Sequence, residues 1–257
     1  MRSAVSDRVA RFDRDWSRFR DDSLVARIAR EPGRHRLPDD ADRLLGLYAG
    51  LYEATGGRVS PLVGGALAGL GYGPRLAAGV SDAVPRWEDA LAWDGTHLDT
   101  VAPVSLDVGA AGKGCLVDLV SGMLTDAGIR RHVVDGSGDL RIRDVPMRIA
   151  LEHPADPTKA IGVAELHDGA LSASAGNRRA WGDGLHHVLD AVTGLPTRSV
   201  VATWAVADDD LTADGAATAL FFDVDPAWLD RHGVQWVRMM DGGAIERSPG
   251  FPGEVFA

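Results

Sequence analysis

The stretch from Leu185 to Phe222 constrains this chain more than any other. It holds adjacent histidines at His186 and His187, a carboxylate at Asp190, a Thr193-Gly194 turn, the run VVATWAV from Val200 to Val206, an acidic loop and an alanine-rich segment. The β-branched run predicts a strand. Ala213 to Phe222 predicts a helix from its alanine content, with Thr212 as candidate N-cap. Asp214 and Thr218 stand four residues apart in that helix and share one face, so a carboxylate and a hydroxyl oxygen can point at the same hard cation.

The other elements are read from periodicity. Val9, Phe12, Trp16 and Phe19 recur at helical spacing from Ser6 onward, and Ser23 to Ile28 begins a second short helix. A third, headed by Asp39 and Asp40, carries Leu44, Leu45, Leu47, Tyr48 and Leu51 and ends near Thr55-Gly56-Gly57. The glycine-rich residues 56–73 match neither a dinucleotide fingerprint nor a P-loop, and fit either close ligand approach or tight packing. Residues 87–104 lack periodicity and read as a surface crossing. Residues 131–143 read as a hairpin around an Asp-Gly-Ser-Gly turn, and Met147 to Leu151 and Ile161 to Leu166 as strands. The small polar residues of 169–184, after a short apolar stretch, suggest either close ligand approach or a plain surface loop; Asp208 to Asp210 read as a solvated charge run and residues 247–257 as an irregular tail. Strands and helices alternate without a strict βαβ rhythm, which predicts an α+β fold with mixed or antiparallel sheet and packed helices.

A formal charge of -10 and a pI near 5.2 argue against nucleic acid or an anionic membrane as a general partner, since both require a positive field. Cys115 is the only cysteine, so no intramolecular disulfide forms. The N-terminal segment lacks the apolar core of a signal peptide, and no apolar run reaches the ~18 residues of a membrane helix. The expectation is a cytoplasmic protein without a membrane span.

Residues 105–129 read as strand, glycine turn and helix, with Asp107 near the strand's end and Lys113 entering the helix. A glycine turn at a helix N-terminus offers amides to an anion, and a lysine there adds a compact charge; a structural ion pair between Asp107 and Lys113 is the alternative. His186 and His187 are not spaced as zinc ligands, and a solvent-facing pair is their plainer reading. Asp190 either works with the histidines or caps the turn that follows it.

The order of these features resembles the FAD:protein FMN transferase family, of ApbE type, from about Arg8 to Asp223. Its Ser-x-[FY]-x-x-x-S segment looks like residues 17–23, and its glycine-Phe-Asp-Pro loop like Gly57 to Pro61, with Val59 and Ser60 in place of the Phe and Asp. Its L-D-L-G-x-x-x-K-G-x-x-x-D block matches Leu106 through Lys113, Gly114 and Asp118. Its H-I-I-D-P-x-T-G block looks like His187 to Gly194, and its A-D-A-x-A-T-A block like Ala213 to Ala219. The Thr-Ser-Gly loop appears as Ser174-Ala175-Gly176. Family members usually open with a strand carrying a Met-Gly-Thr segment, whereas this chain starts in a helix.

The resemblance implies one ApbE-like, T-fold-like domain over residues 1–257 and transfer of FMN from FAD to a Thr or Ser hydroxyl of an acceptor protein, releasing AMP. It implies Mg²⁺ held by Asp214, Thr218 and the carbonyl of Ala110, with Lys113 on a phosphate and His187 as proton acceptor, oriented by Asp190. FAD, as substrate, is bordered by Gly57, Ser60, Pro61, Asp107, Lys113, Asp118, Ser174, Gly176 and His187. An FAD pyrophosphatase yielding FMN and AMP, an FAD-binding paralogue without catalysis, and a degenerate paralogue that neither binds FAD nor acts on it are the alternative readings.

Overall fold

A computed structural model describes residues 1–74, 77–181 and 185–256. The chain divides into two compact units, Met1–Gly112 with Leu189–Pro196, and Lys113–Val188 with Thr197–Ala257. Among the described residues no helix is long and apolar enough to cross a membrane.

The first unit is largely helical. Helix α1 (Arg2–Trp16) buries Phe12 and Trp16, but it stops before Phe19, which is exposed. The apolar spacing therefore overruns the helix by one repeat. Helix α2 (Leu24–Arg30) starts where Ser23 Oγ accepts the Ala26 N–H at 3.1 Å. Helix α3 (Ala41–Ala54) buries Leu44, Leu45, Tyr48 and Leu51. Asp40 precedes it without capping it: its backbone is already in the helical region, and its Oδ2 pairs with Arg8. The glycine-rich stretch contains a short helix, Gly64–Gly69. A Cβ on Gly65 would lie 2.2 Å from the Ser81 carbonyl oxygen, so the glycine there serves close packing. Residues 87–104 are more ordered than their pattern predicts. They carry strands β2 (Leu91–Trp93) and β3 (His97–Thr100), which with β1 (Arg34–Arg36) form an antiparallel sheet in the order β1-β3-β2, and Leu98 is fully buried.

The second unit is built on a six-stranded antiparallel sheet. Helix α4 (Gly112–Asp126) enters it, followed by the expected hairpin of β4 (His132–Asp135) and β5 (Asp139–Arg143). Strands β6 (Met147–His153) and β7 (Asp156–Leu166) pair with each other. Residues 169–175, expected in a loop, are instead strand β8 (Gly169–Ala175) at the middle of the large sheet; residues 182–184 of that expected loop lie outside the described residues. Strand β9 (Val200–Ala207), helix α5 (Asp210–Ala219), helix α6 (Pro226–Arg231) and strands β10 (Gln235–Met240) and β11 (Ile245–Arg247) follow. The sheet order is β11-β10-β9-β8-β5-β4. The tail is not irregular throughout: β12 (Gly253–Val255) pairs with β7, and Phe251 is buried.

The two faces of the large sheet differ in side-chain size. One face places Leu171, Ala202, Trp204, Val206, Val237 and Met239 in a core shared with Leu151, Ile161, Ala164 and Phe251. Alternation sends Ala170 and Ser172 of β8, and Thr203, Ala205 and Ala207 of β9, to the other face. Those side chains are small, so α5, itself rich in alanine, packs close on β8 and β9.

Candidate functional site

The first turn of α5 gathers the polar groups of the second unit. Asp209, not Thr212, is the N-cap, its side chain accepting the Thr212 N–H at 2.8 Å. Asp118 of α4 accepts the N–H groups of Asp210 and Leu211, each at 3.0 Å. Carboxylates thus meet the amides that a helix start leaves without internal partners, and the helix dipole favours negative charge there. Arg141 Nε of β5 lies 3.6 Å from Asp118 Oδ1.

Asp210 corrects the expectation of a solvated acidic run. Asp208 is exposed, whereas Asp210 is 0% exposed. Its Oδ1 accepts the Ser172 hydroxyl at 2.8 Å, and its Oδ2 is buried without a hydrogen-bond partner. Burial pushes this carboxyl well above the usual carboxylate range, and the Asp214 charge pushes the same way, against the Ser172 hydrogen bond.

Asp214 and Thr218 follow at helical spacing from Asp210, on the face expected. Asp214 is buried, and its Oδ2 accepts the Gly114 N–H of α4 at 2.9 Å. Gly114 permits this approach: a Cβ there would lie 2.2 Å from the Asp210 carbonyl oxygen and 2.8 Å from Asp214 Cβ. Lys113, one residue earlier, reaches Asp139 Oδ2 at 2.7 Å and the Ser137 carbonyl at 3.2 Å. Asp139 is 0% exposed. Among the described residues, the carboxyls of Asp118, Asp139, Asp210 and Asp214 gather with the cations Lys113 and Arg141 around the two helix starts. Buried negative charge is costly unless a proton or a cation offsets it.

The remaining expected residues of this unit lie on its strand ends and loops. Ser174 is half-buried on β8, directly opposite Thr203. Gly176 sits against the His186 ring, with its would-be Cβ 3.4 Å away. His186 Nε2 lies 2.7 Å from the Thr197 carbonyl oxygen, which commits that ring to a backbone contact. The neighbouring His187 is half-buried.

In the first unit Asp107 is held on both sides. Its Oδ2 accepts Arg18 Nε at 2.5 Å and its Oδ1 accepts the Gly109 N–H at 2.7 Å. It thus shapes the turn leading to Ala110, whose N–H donates to the Tyr48 hydroxyl at 3.1 Å. The Asp107 N–H donates to the Pro61 carbonyl at 2.7 Å, which brings these two together. Ser60 Oγ accepts the Leu62 N–H at 3.2 Å and so caps a short turn. Gly57 follows α3 with φ +87. Asp190 accepts the Val192 and Thr193 N–H groups with one oxygen and pairs with Arg58 through the other, so it caps its turn. The first unit therefore collects Pro61 with Asp107, and the second collects Lys113, Asp118, Asp214 and Thr218.

Asp139, Arg141, Ser172, Asp210 and Arg18 were not anticipated. Two signals were present: Asp139 and Arg141 alternate on one strand face, and Asp210 continues the Asp214-Thr218 stripe by one turn.

A profile of the ApbE family matches residues 1–235. The FAD:protein FMN transferase of Rhodobacter capsulatus is 30% identical over 216 residues, 75% of this chain and 41% of that protein, so the chain spans about two fifths of that relative. The FAD:protein FMN transferase of Vibrio cholerae is 29% identical over 84% of this chain and 69% of its own length. Among solved structures, the ApbE protein of Thermotoga maritima superposes with a TM-score of 0.84 at 24% identity, covering 98% of this chain and 91% of that one. The flavin transferase ApbE of Vibrio cholerae superposes at 0.81 and 23% identity, covering 97% and 88%. At these identities the superpositions show a shared α+β fold.

Proposed function

The chain belongs to the ApbE family, and from that premise we propose that it transfers the FMN half of FAD to a Thr or Ser hydroxyl of an acceptor protein, releasing AMP, with Mg²⁺ as the required ion. The curated relatives are named for this transfer. The observation that carries the reading to this chain is the buried Asp214 on one helical face with Thr218, its Oδ2 held by the Gly114 N–H beside Lys113.

That donor set fits Mg²⁺. Both side-chain ligands offer oxygen, the donor a hard divalent cation takes, and Asp214 brings a buried carboxyl to the site. Among the described residues no group of three or more His, Cys, Asp or Glu side chains is arranged to hold an ion unaided. Mg²⁺ commonly takes one or two carboxylates and completes its shell with substrate phosphates and water. When bound, it would neutralise charge on the diphosphate oxygens of FAD.

The chain's own residues supply the rest. Lys113, oriented by Asp139 and the Ser137 carbonyl, holds a phosphate oxygen as a point charge. His187 takes the proton of the acceptor hydroxyl as its oxygen attacks the FMN phosphorus. That P–O bond forms as the bridging P–O bond to AMP breaks, and AMP leaves as the phosphate monoester. Asp118 and Gly114 hold α5 and Asp214 in place through the hydrogen bonds described.

The test is to incubate the chain with FAD and Mg²⁺, with and without a flavin-acceptor domain, and to measure AMP and covalent flavin. Covalent flavin matched by AMP supports the transfer. AMP and FMN formed equally without acceptor indicate hydrolysis, and FAD retained intact indicates a binding protein; either result removes the transferase reading.

A further inference from the structure

Resting on the Mg²⁺ site just proposed, we infer that Thr203 of β9 is a positioning residue for Thr218, acting through the backbone of α5. Thr203 is 0% exposed, and its Oγ1 donates to the Ala217 carbonyl at 2.6 Å. In a continuing α-helix that carbonyl would accept from the N–H four residues on. Here the Phe221 N–H donates to the Thr218 carbonyl at 3.2 Å, and the Phe222 N–H to the Ala219 carbonyl at 2.9 Å. The helix tightens immediately after Thr218, and the Ala217 carbonyl is diverted from its helical donor to a hydroxyl of the sheet.

The Ala217 carbonyl and the Thr218 N–H belong to one planar peptide. Fixing that carbonyl to a rigid central strand fixes the plane from which the Thr218 side chain springs. The other end of the helix is tied to the same sheet face by Ser172 Oγ, which donates to Asp210. The stripe Asp210-Asp214-Thr218 is thus pinned at each end by a hydroxyl from neighbouring strands, and Thr203 is the pin next to the candidate ligand. A strand hydroxyl at this place has no role in the expected ligand set. Its neighbours on the same face, Ala205 and Ala207, show that packing alone is met by methyl groups.

Mn²⁺ binding to the full chain in the presence of FAD, followed by loss of the free-ion electron paramagnetic resonance signal, tests this without relying on turnover. Wild type, Asp214→Ala, Thr203→Val and Thr203→Ser are compared, with circular dichroism and metal-free unfolding midpoints for each. Thr203→Val is expected to weaken Mn²⁺ binding by about tenfold or more, as loss of an outer-shell partner does. Thr203→Ser, which keeps the hydroxyl, is expected to remain within about threefold of wild type by the same reasoning. If Thr203→Val does not fold, Thr203→Ala is read in its place, since that face already accepts alanine.

Wild-type affinity in the Val or Ala variant overturns the inference. So does equal weakening by Val and Ser, which would trace the effect to volume. If wild type and Asp214→Ala bind Mn²⁺ alike, the metal site itself is wrong and the role of Thr203 falls with it; if only Asp214→Ala loses the ion, the site stands and Thr203 alone is refuted.

Discussion

Gly114 donates its backbone N–H to Asp214 Oδ2 at 2.9 Å, tying the first turn of α4 to the face of α5 that carries Thr218. A carboxylate so placed meets the positive end of one helix while projecting from another. The contact depends on the absence of a side chain at Gly114 and on the charge at Asp214, and each dependence can be measured.

Asp214→Ala is expected to lower flavin transfer by on the order of a thousandfold, the loss of several kcal/mol of charge stabilisation. The circular dichroism spectrum should match wild type. Undiminished labelling of an acceptor by this variant, with Mg²⁺ present, would remove Asp214 from the site.

Gly114→Ala forces a Cβ to within 2.2 Å of the Asp210 carbonyl oxygen, so α4 and α5 must separate locally. Overpacking of this kind costs about 1–3 kcal/mol. The unfolding midpoint should fall, and metal affinity should fall with it because Asp214 moves. A variant as stable as wild type would mean that the two helices yield without strain.

The Asp210 carboxyl is held well above its ordinary value of 3.8, and this sets the sign of a pH effect. The folded chain retains a proton that the unfolded chain has released, so stability falls as pH rises from about 4 toward the raised value. Asp210→Asn removes this contribution. The unfolding free energy of the variant relative to wild type is therefore expected to increase with pH across that window in urea titrations, and a pH-independent difference would contradict the assignment.

Lys113 and Asp139 are expected to be strongly coupled. Lys113→Met leaves Asp139, 0% exposed, without its cation, and breaking a buried pair costs more than replacing both members. The double variant Lys113→Met/Asp139→Leu should be more stable than Lys113→Met alone, with a coupling of about 0.5–3 kcal/mol in a double-mutant cycle. Additive effects would show that the pair is fully screened by solvent.

Arg18 makes a similar case in the first unit. Its guanidinium lies 4.6 Å from the Phe19 ring centroid and 5.2 Å from that of Tyr72, and it also donates to the Tyr72 carbonyl at 2.9 Å. Arg18→Met keeps much of the apolar stem but strands Asp107, and should destabilise the protein by about 3–5 kcal/mol. Asp107→Asn in the same background should recover part of the loss, as read by thermal unfolding.

The sequence by itself determined the family, the strand at Val200 to Val206, the hairpin around Ser137 and the shared face of Asp214 and Thr218. Those depend on short-range periodicity, turn chemistry and residue order, all of which are local. It did not determine that residues 169–175 form a central strand. Small residues look alike in a loop and beneath a closely packed helix, and only the partner strands decide. Nor did it separate Asp208 from Asp210, chemically identical and two residues apart: the start of α5 leaves the first in solvent and turns the second onto Ser172, 38 positions away in the chain. The pairing of Lys113 with Asp139, and of Thr203 with the Ala217 carbonyl, was settled in the same way. Burial and partner choice arise where distant segments meet, and a linear pattern carries no record of which segments those are.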